Sequence, residues 1–261
     1  GMATQGMKPV CAIYSTFLQR AYDQIFHDVC LMDLPVVFAL DRGGVVGSDG
    51  PTHHGAYDLS YLRVFPNMMV AAPKDENELR NLVATAFTTG HPTAVRYPRG
   101  AGYGVALDSE PKLLPVGKGE VLRVGKDAVV VAIGDPVLPA LKAAERLAAE
   151  GGASLTVINA RWVKPLDTEL LAQFVRNGTT VFTVEENAVA GGFGSAVSEA
   201  LDGLGIVAPV HRIGIPDRFV LHATQAEQRA EMGIDEDGLL GTFRTKTAGG
   251  GVVPIRARVA S

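Results

Sequence analysis

Short apolar runs alternate with longer amphipathic stretches along most of the chain. The runs at 9–14, 35–40, 68–72 and 93–97 are rich in aliphatic and β-branched residues and bounded by Gly, Pro or polar positions, which predicts buried strands. Between the first two, Phe17, Ala21, Ile25 and Val29 recur at helical spacing, and Leu18, Tyr22, Phe26 and Cys30 widen the same face. The pattern predicts a helix capped by Thr16 and running to about Met32. A second helix is predicted from Lys74 or Asp75 to about Thr89, with acidic residues in the first turn, where the helix dipole favours them. The stretch 98–118 is rich in Gly and Pro and reads as a linker. The alternation then resumes, with strands at 127–133, 154–159, 179–184 and 209–213 and helices at 136–150, 167–176 and 194–202. Short helices follow at 224–232 and 235–246.

Strands that alternate with helices of this length predict mostly parallel sheets covered on both faces. The fold class is therefore α/β, with two three-layer α/β/α domains at 1–110 and 125–246, joined by a linker at 111–124. Residues 247–261 form a Gly-rich tail, expected to be disordered or a cloning remnant. Residues 1–8 read as the end of a helix turning into the first strand, so the first domain is expected to lack its start.

Composition narrows the class. A chain of 261 residues, 47% hydrophobic and 20% charged, can bury a core for two domains. A net charge of −4 gives no bulk attraction to nucleic acid, although it says nothing of a single pocket. No apolar run approaches the ~20 residues of a membrane span, and no basic-then-apolar leader is seen, so a cytoplasmic protein is expected. Cys11 and Cys30 lie in apolar runs and read as buried thiols in a reducing compartment, not as a disulfide.

The candidate chemistry sits where strands end, because ligands of open α/β sheets bind there. Tyr14 closes the first strand, Arg42 follows the second and Arg99 follows the fourth; two guanidinium groups and a phenol suit a phosphate. Phe17, just inside the first helix, is a flat ring that either packs in the core or stacks on a heteroaromatic ligand. Arg20, one turn on, either forks a carboxylate or pairs with Asp23 or Asp28. The loop 41–58 is long for a connector and holds Asp49, His53 and His54, of which a histidine can move protons near neutral pH. Its glycines match neither a dinucleotide fingerprint nor a Walker loop. No further Cys or His stands at ligand spacing in this segment, so no metal is expected on these residues. Arg96, inside a strand, reads as packing or a salt bridge, while His27 and His91 read as surface and turn and His211 and His222 as structural. Gly191-Gly192-Phe193-Gly194, after Glu185-Glu186-Asn187, is a candidate anion site at a helix start.

The strings Tyr14-Ser-Thr-Phe-Leu-Gln-Arg-Ala-Tyr-Asp-Gln24, His53-His-Gly-Ala-Tyr-Asp-Leu-Ser-Tyr-Leu-Arg63, Arg96-Tyr-Pro-Arg-Gly100 and Val184-Glu-Glu-Asn187 together resemble the 1-deoxy-D-xylulose-5-phosphate synthases, thiamine-diphosphate enzymes of the transketolase group. The resemblance covers residues 1 to about 246, the middle (pyrimidine-binding) and C-terminal domains of that family. It implies condensation of pyruvate with glyceraldehyde 3-phosphate, loss of carbon dioxide and formation of deoxyxylulose 5-phosphate, an isoprenoid precursor that also feeds thiamine and pyridoxal. The cofactor is the electron sink and protein groups position substrates and protons. By this resemblance Phe17 stacks on the cofactor pyrimidine, and Arg20 lies near the cofactor and the pyruvate-derived carboxylate. Tyr14, Arg42 and Arg99 contact the acceptor phosphate, and Asp49 and His53 line the reacting end, with His53 handling a proton or orienting substrate. His54 stands where many relatives carry glutamine, so it receives no role.

The resemblance also marks what is missing. Relatives bind the diphosphate through Mg2+ in an amino-terminal domain, with a Gly-Asp-Gly segment and a downstream asparagine, and protonate the cofactor through a glutamate in a Glu-Gln-His context. The present sequence contains neither. The chain alone is therefore expected to be inactive, and to work beside an amino-terminal fragment or domain of the same enzyme, as a homodimer. The alternatives are transketolase itself, the beta part of a 2-oxo acid dehydrogenase, or a non-catalytic assembly module, a description that fits the second domain. The Arg42 and Arg99 clamp argues for the synthase.

Overall fold

A computed structural model of the protein describes residues 1–248. Its strands are β1 (Val10–Tyr14), β2 (Val37–Asp41), β3 (Met69–Ala71), β4 (Thr93–Arg96), β5 (Glu120–Arg123), β6 (Ala128–Ala132), β7 (Leu155–Asn159), β8 (Trp162–Lys164), β9 (Thr180–Ala188) and β10 (Val210–Ile215). They form two five-stranded sheets, in the orders β1-β2-β4-β3-β8 and β10-β9-β6-β7-β5. Within each sheet the pairs are parallel except β3 with β8 and β5 with β7. The central strands are continuous Val, Ala and Ile runs because both faces are covered; every residue of β4, β6 and β7 is buried.

Two short strands depart from the sequence reading. Residues 120–123, read as linker, form β5 on the edge of the second sheet. β8 follows β7 by two residues but crosses to the other sheet, turning at Arg161 with φ of +58°. The two halves of the chain thus share a sheet. They also share an apolar core: Leu59, Leu62 and Val70 belong to one continuous cluster with Val131, Phe193 and Val197.

The first helix also differs. It begins at Ser15, and Tyr14 occupies the capping position without a side-chain bond. Thr16 lies inside the helix, where its hydroxyl donates to the Thr52 carbonyl at 3.0 Å. The segment passes through a 3-10 turn at Gln19–Ala21 and ends as a π turn at Ile25–Cys30. In that geometry Tyr22 and Phe26 both reach Phe65, with ring centroids 4.7 and 6.0 Å away, while Ile25 and Cys30 stay buried.

The expected burial of the first strand and of Cys11 is corrected. β1 is the open edge of its sheet, with Val10, Cys11 and Ala12 exposed, since nothing in the described residues covers that side. Cys30 is buried, and both thiols are free. The helix Glu236–Ala248 runs into the segment read as tail; the rest of that expectation, 249–261, lies outside the described residues.

Candidate functional site

β1, β2 and β4 are parallel neighbours, so their carboxyl ends lie side by side. Tyr14 is in register with Asp41, and Arg42 follows with φ of +61°, a left-handed turn that swings its side chain back across β1. The Arg42 guanidinium carbon lies 3.7 Å from the centroid of the Tyr14 ring, a cation–π contact. On the same ring stacks Phe17, centroids 5.4 Å apart and planes 12° from parallel. His53 meets Phe17 edge-on at 5.5 Å. Its Nδ1 is 2.9 Å from the Thr52 hydroxyl. Tyr14, Phe17, Arg42 and His53 are therefore one contiguous group. Phe17 is 42% exposed, which removes the core-packing alternative and leaves the ring open to a ligand. Arg20 is exposed one turn further along and has no ion pair among the described residues. Asp23, one of its two suggested partners, sits 2.8 Å from His27 instead.

Arg99 lies on the other side of Arg42. Its Nη1 donates to the Val46 carbonyl at 2.7 Å and stands 3.5 Å from Asp49 Oδ2. Arg42 and Arg99 line one cavity of ≈ 480 Å³, with Lys74, Tyr97, Tyr103 and Asp135 among its walls. The Nε of Arg42 is buried without a partner, while Nη1 of the same side chain pairs with Asp41. A buried donor of this kind calls for an acceptor. Burial opposes the charge on Lys74, but Glu78 and Glu120 outweigh it and hold the ammonium above its ordinary value. The cavity at the strand ends thus sets two guanidinium groups, Arg42 and Arg99, among the carboxylates of Asp41, Asp75, Glu76 and Asp135.

A buried polar frame supports these groups. Arg96 is the salt-bridge residue the strand position suggested. Its Nε is 3.1 Å from Asp58 Oδ2, and its Nη2 donates to the carbonyls of Gly55 and Glu186. A Cβ on Gly43 would come within 2.4 Å of Arg96 Nε, so this position has no space for a side chain. His54 is structural. Its Nδ1 accepts from the Val46 N–H and its Nε2 faces the Val220 carbonyl, while burial pushes its pKa down.

The anion site read at the helix start 193–203 is corrected. The protein fills it itself, because Glu185 accepts from the N–H groups of Phe193 and Gly194 at 2.7 and 2.8 Å. His222, read as structural, packs against the glycine loop. Its ring lies where a Cβ on Gly50 would be, 2.2 Å from Nε2, and with Arg99 it lines a second cavity of ≈ 500 Å³. Sequence reading missed Gln225 and Gln228 as well, which bond the glycine loop from the last domain, and Arg229, which holds Glu186 and Asp135. The i, i+3, i+4 spacing was their one signal, and it is equally that of any surface helix.

Residues 1–103 match the family model described as transketolase, pyrimidine binding domain, and residues 117–239 that of transketolase, C-terminal domain. A 1-deoxy-D-xylulose-5-phosphate synthase of Syntrophus aciditrophicus is 60% identical over 246 residues, covering 94% of this chain and 38% of that protein. A Geobacter sulfurreducens protein, 1-deoxy-D-xylulose-5-phosphate synthase 1, is 60% identical over 240 residues, covering 92% and 38%. The chain thus spans well under half the length of these relatives. Among solved structures, a split-gene transketolase described as an inactive β4 tetramer superposes with a TM-score of 0.83 at 31% identity, covering 94% of this chain and 78% of that one. The chain belongs to the transketolase family and corresponds to the middle and C-terminal domains of its 1-deoxy-D-xylulose-5-phosphate synthase branch.

Proposed function

We propose that this chain supplies half of a synthase site that condenses pyruvate with D-glyceraldehyde 3-phosphate, with loss of carbon dioxide, on thiamine diphosphate. One observation carries the reading: the Arg42–Tyr14–Phe17 stack stands beside Arg99 at the ends of three adjacent parallel strands. The donor set fits the cofactor. The exposed Phe17 ring offers an apolar platform to an aminopyrimidine, and the Arg42 and Arg99 guanidinium groups in the adjoining cavity suit a phosphorylated acceptor. Bound thiamine diphosphate would supply the electron sink for decarboxylation and carbon–carbon bond formation.

The residues of this chain do the rest. Phe17 holds the pyrimidine by stacking. Arg20, exposed and unpaired among the described residues, takes the pyruvate carboxylate in a fork. Tyr14, Arg42 and Arg99 bind the acceptor phosphate. His53, on the edge of Phe17, exchanges a proton with a substrate oxygen, with Thr52 fixing its ring. Asp49 turns one edge of Arg99 and leaves the other to the substrate.

Mg2+ and the diphosphate go to the part of the relatives this chain does not span. Among the described residues no group of three His, Cys, Asp or Glu side chains is placed to hold a metal ion. The partner is an amino-terminal domain or fragment of the same enzyme, and the assembly is a homodimer built on exposed surface such as the β1 edge. The split-gene neighbour, inactive as a β4 tetramer, supports a need for a second part. No helix of the described residues is long and apolar enough to cross a membrane, and we place the assembly in the cytoplasm.

The test is product analysis with pyruvate, glyceraldehyde 3-phosphate, lipoamide, thiamine diphosphate and Mg2+, on the chain alone and with an amino-terminal domain from a synthase relative. Deoxyxylulose 5-phosphate should form only in the mixture. Its formation by the chain alone would overturn the shared-site reading, and acyl transfer to lipoamide in its place would overturn the synthase reading.

A further inference from the structure

The loop between β2 and residue 50 holds its shape without backbone pairing at residues 45 and 46. Val45 and Val46 are fully buried, so their peptide groups need partners other than water. Side chains meet every one of them. The Val45 N–H donates to Glu186 Oε1 at 3.1 Å, and the Val45 carbonyl accepts from Gln225 Nε2 at 2.9 Å. The Val46 N–H donates to His54 at 3.1 Å, and the Val46 carbonyl accepts from Arg99 at 2.7 Å. Gln228 grips both ends of Gly47, accepting from its N–H at 2.9 Å and donating to its carbonyl at 3.1 Å. Glu186, Gln225 and Gln228 all belong to the second half of the chain.

The grip extends to Arg99 itself. The Gln225 amide also donates to the Arg99 carbonyl at 3.2 Å, so one side chain ties the backbone of Arg99 to the loop that its guanidinium binds. Arg229 fixes the far side, with Nε 3.1 Å from Glu186 Oε1 and Nη2 3.1 Å from Asp135. The Val46 carbonyl that aims Arg99 is thus flanked by two residues clamped from the second domain.

We infer that Gln225 and Gln228 of the C-terminal domain are positioning residues for Arg99, and so set the preference of the site for a phosphorylated acceptor. The inference rests on the reading of Arg99 as a phosphate contact. It gives the second domain a task in selectivity, where its few acid–base groups suggested assembly alone. Without the two amides, Val46 drifts, the guanidinium loses its fixed edge, and the charge facing the cavity is no longer held in one place.

The experiment uses the full chain and inorganic phosphate as probe, followed by calorimetry or NMR titration, with circular dichroism confirming that each variant is folded. Gln225 is half-buried, so Gln225→Ala is the first variant; Gln228 is buried, so the similarly sized Gln228→Met is the second. Each should weaken phosphate binding at least fivefold. In the assembled enzyme, the ratio of kcat/KM for glyceraldehyde 3-phosphate to that for glyceraldehyde should fall by a similar factor. A merely structural defect would lower both acceptors alike and leave the ratio fixed. Arg99→Ala is the control for the underlying reading. If Arg99→Ala abolishes phosphate binding while the folded glutamine variants bind normally, the positioning role is wrong and the phosphate clamp stands. If Arg99→Ala binds phosphate normally, clamp and positioning role fall together.

Discussion

Glu185 places a carboxylate where water does not reach. Burial pushes its pKa up to about 7, against the two N–H groups of Phe193 and Gly194, which favour the charged form. The native protein therefore keeps a proton that the unfolded chain releases near 4.5. Glu185 stabilises the fold fully below that pH, and the contribution is lost as pH rises through about 7, an effect of about 3 kcal/mol. Glu185→Gln cannot titrate, so urea unfolding at pH 5 and pH 7.5 should show a difference between wild type and variant that narrows or reverses with rising pH. Equal pH slopes in the two proteins would remove the claim. Tyr14 offers a second test on the same scale. Tyr14→Phe keeps a ring beneath Arg42 and Tyr14→Leu does not. A cation–π contact at a half-exposed site is worth about 0.5–1 kcal/mol, so phosphate affinity in the leucine variant should fall roughly two- to fivefold below that of the phenylalanine variant. Calorimetric titration of both measures it. Single residues at strand ends were legible in the sequence because a parallel strand must deliver its last side chain to the sheet's carboxyl edge. That rule put Tyr14, Arg42 and Arg99 at neighbouring strand ends, where the structure has them, and helix geometry brought Phe17 beside Tyr14. It was silent on Glu185, whose role depends on a helix start folded back over it.

At the scale of elements, strands and helices with a full apolar pattern were legible, and those without one were not. β8 is three residues long, a length at which alternation carries no signal, and its pairing with β3 is set by contacts 90 residues away in sequence. β5 hid in a Gly- and Pro-flanked stretch for the same reason. The loop after β2 stood out in the sequence by its length, but the frame that shapes it did not, because Arg96 joins four elements through space. Its guanidinium serves Asp58, Gly55 and Glu186 at once, and both Arg96 and Asp58 are buried. Arg96→Met should strand a buried carboxylate and cost about 3–5 kcal/mol of stability, whereas adding Asp58→Asn should recover part of the loss. A double-mutant cycle by denaturant unfolding reads this directly, and strict additivity of the two changes would show that the pair is not coupled.

For the whole molecule, the question is whether the two halves fold as separate domains or as one unit. Composition argued for two domains, and each half does build its own sheet. Yet β8 belongs by sequence to the second half and by pairing to the first. Around it Glu78 of the first half takes Arg161 Nε at 2.6 Å and Asn159 Nδ2 at 2.9 Å, and Lys164 donates to the carbonyls of Arg63 and Phe65. The single tryptophan sits in this seam: Trp162 is fully buried among Val37, Ala71, Leu82 and Val95 of the first half. Its fluorescence therefore reports separation of the halves, while far-UV circular dichroism reports loss of the helices of both. Seam and core share buried apolar area and a satisfied ion network, so neither half has a low-cost way to open alone. The two signals should follow one denaturant transition with the same midpoint. A fluorescence midpoint at clearly lower urea, with the helical signal intact, would show that β8 peels away first and that the halves are independent domains after all.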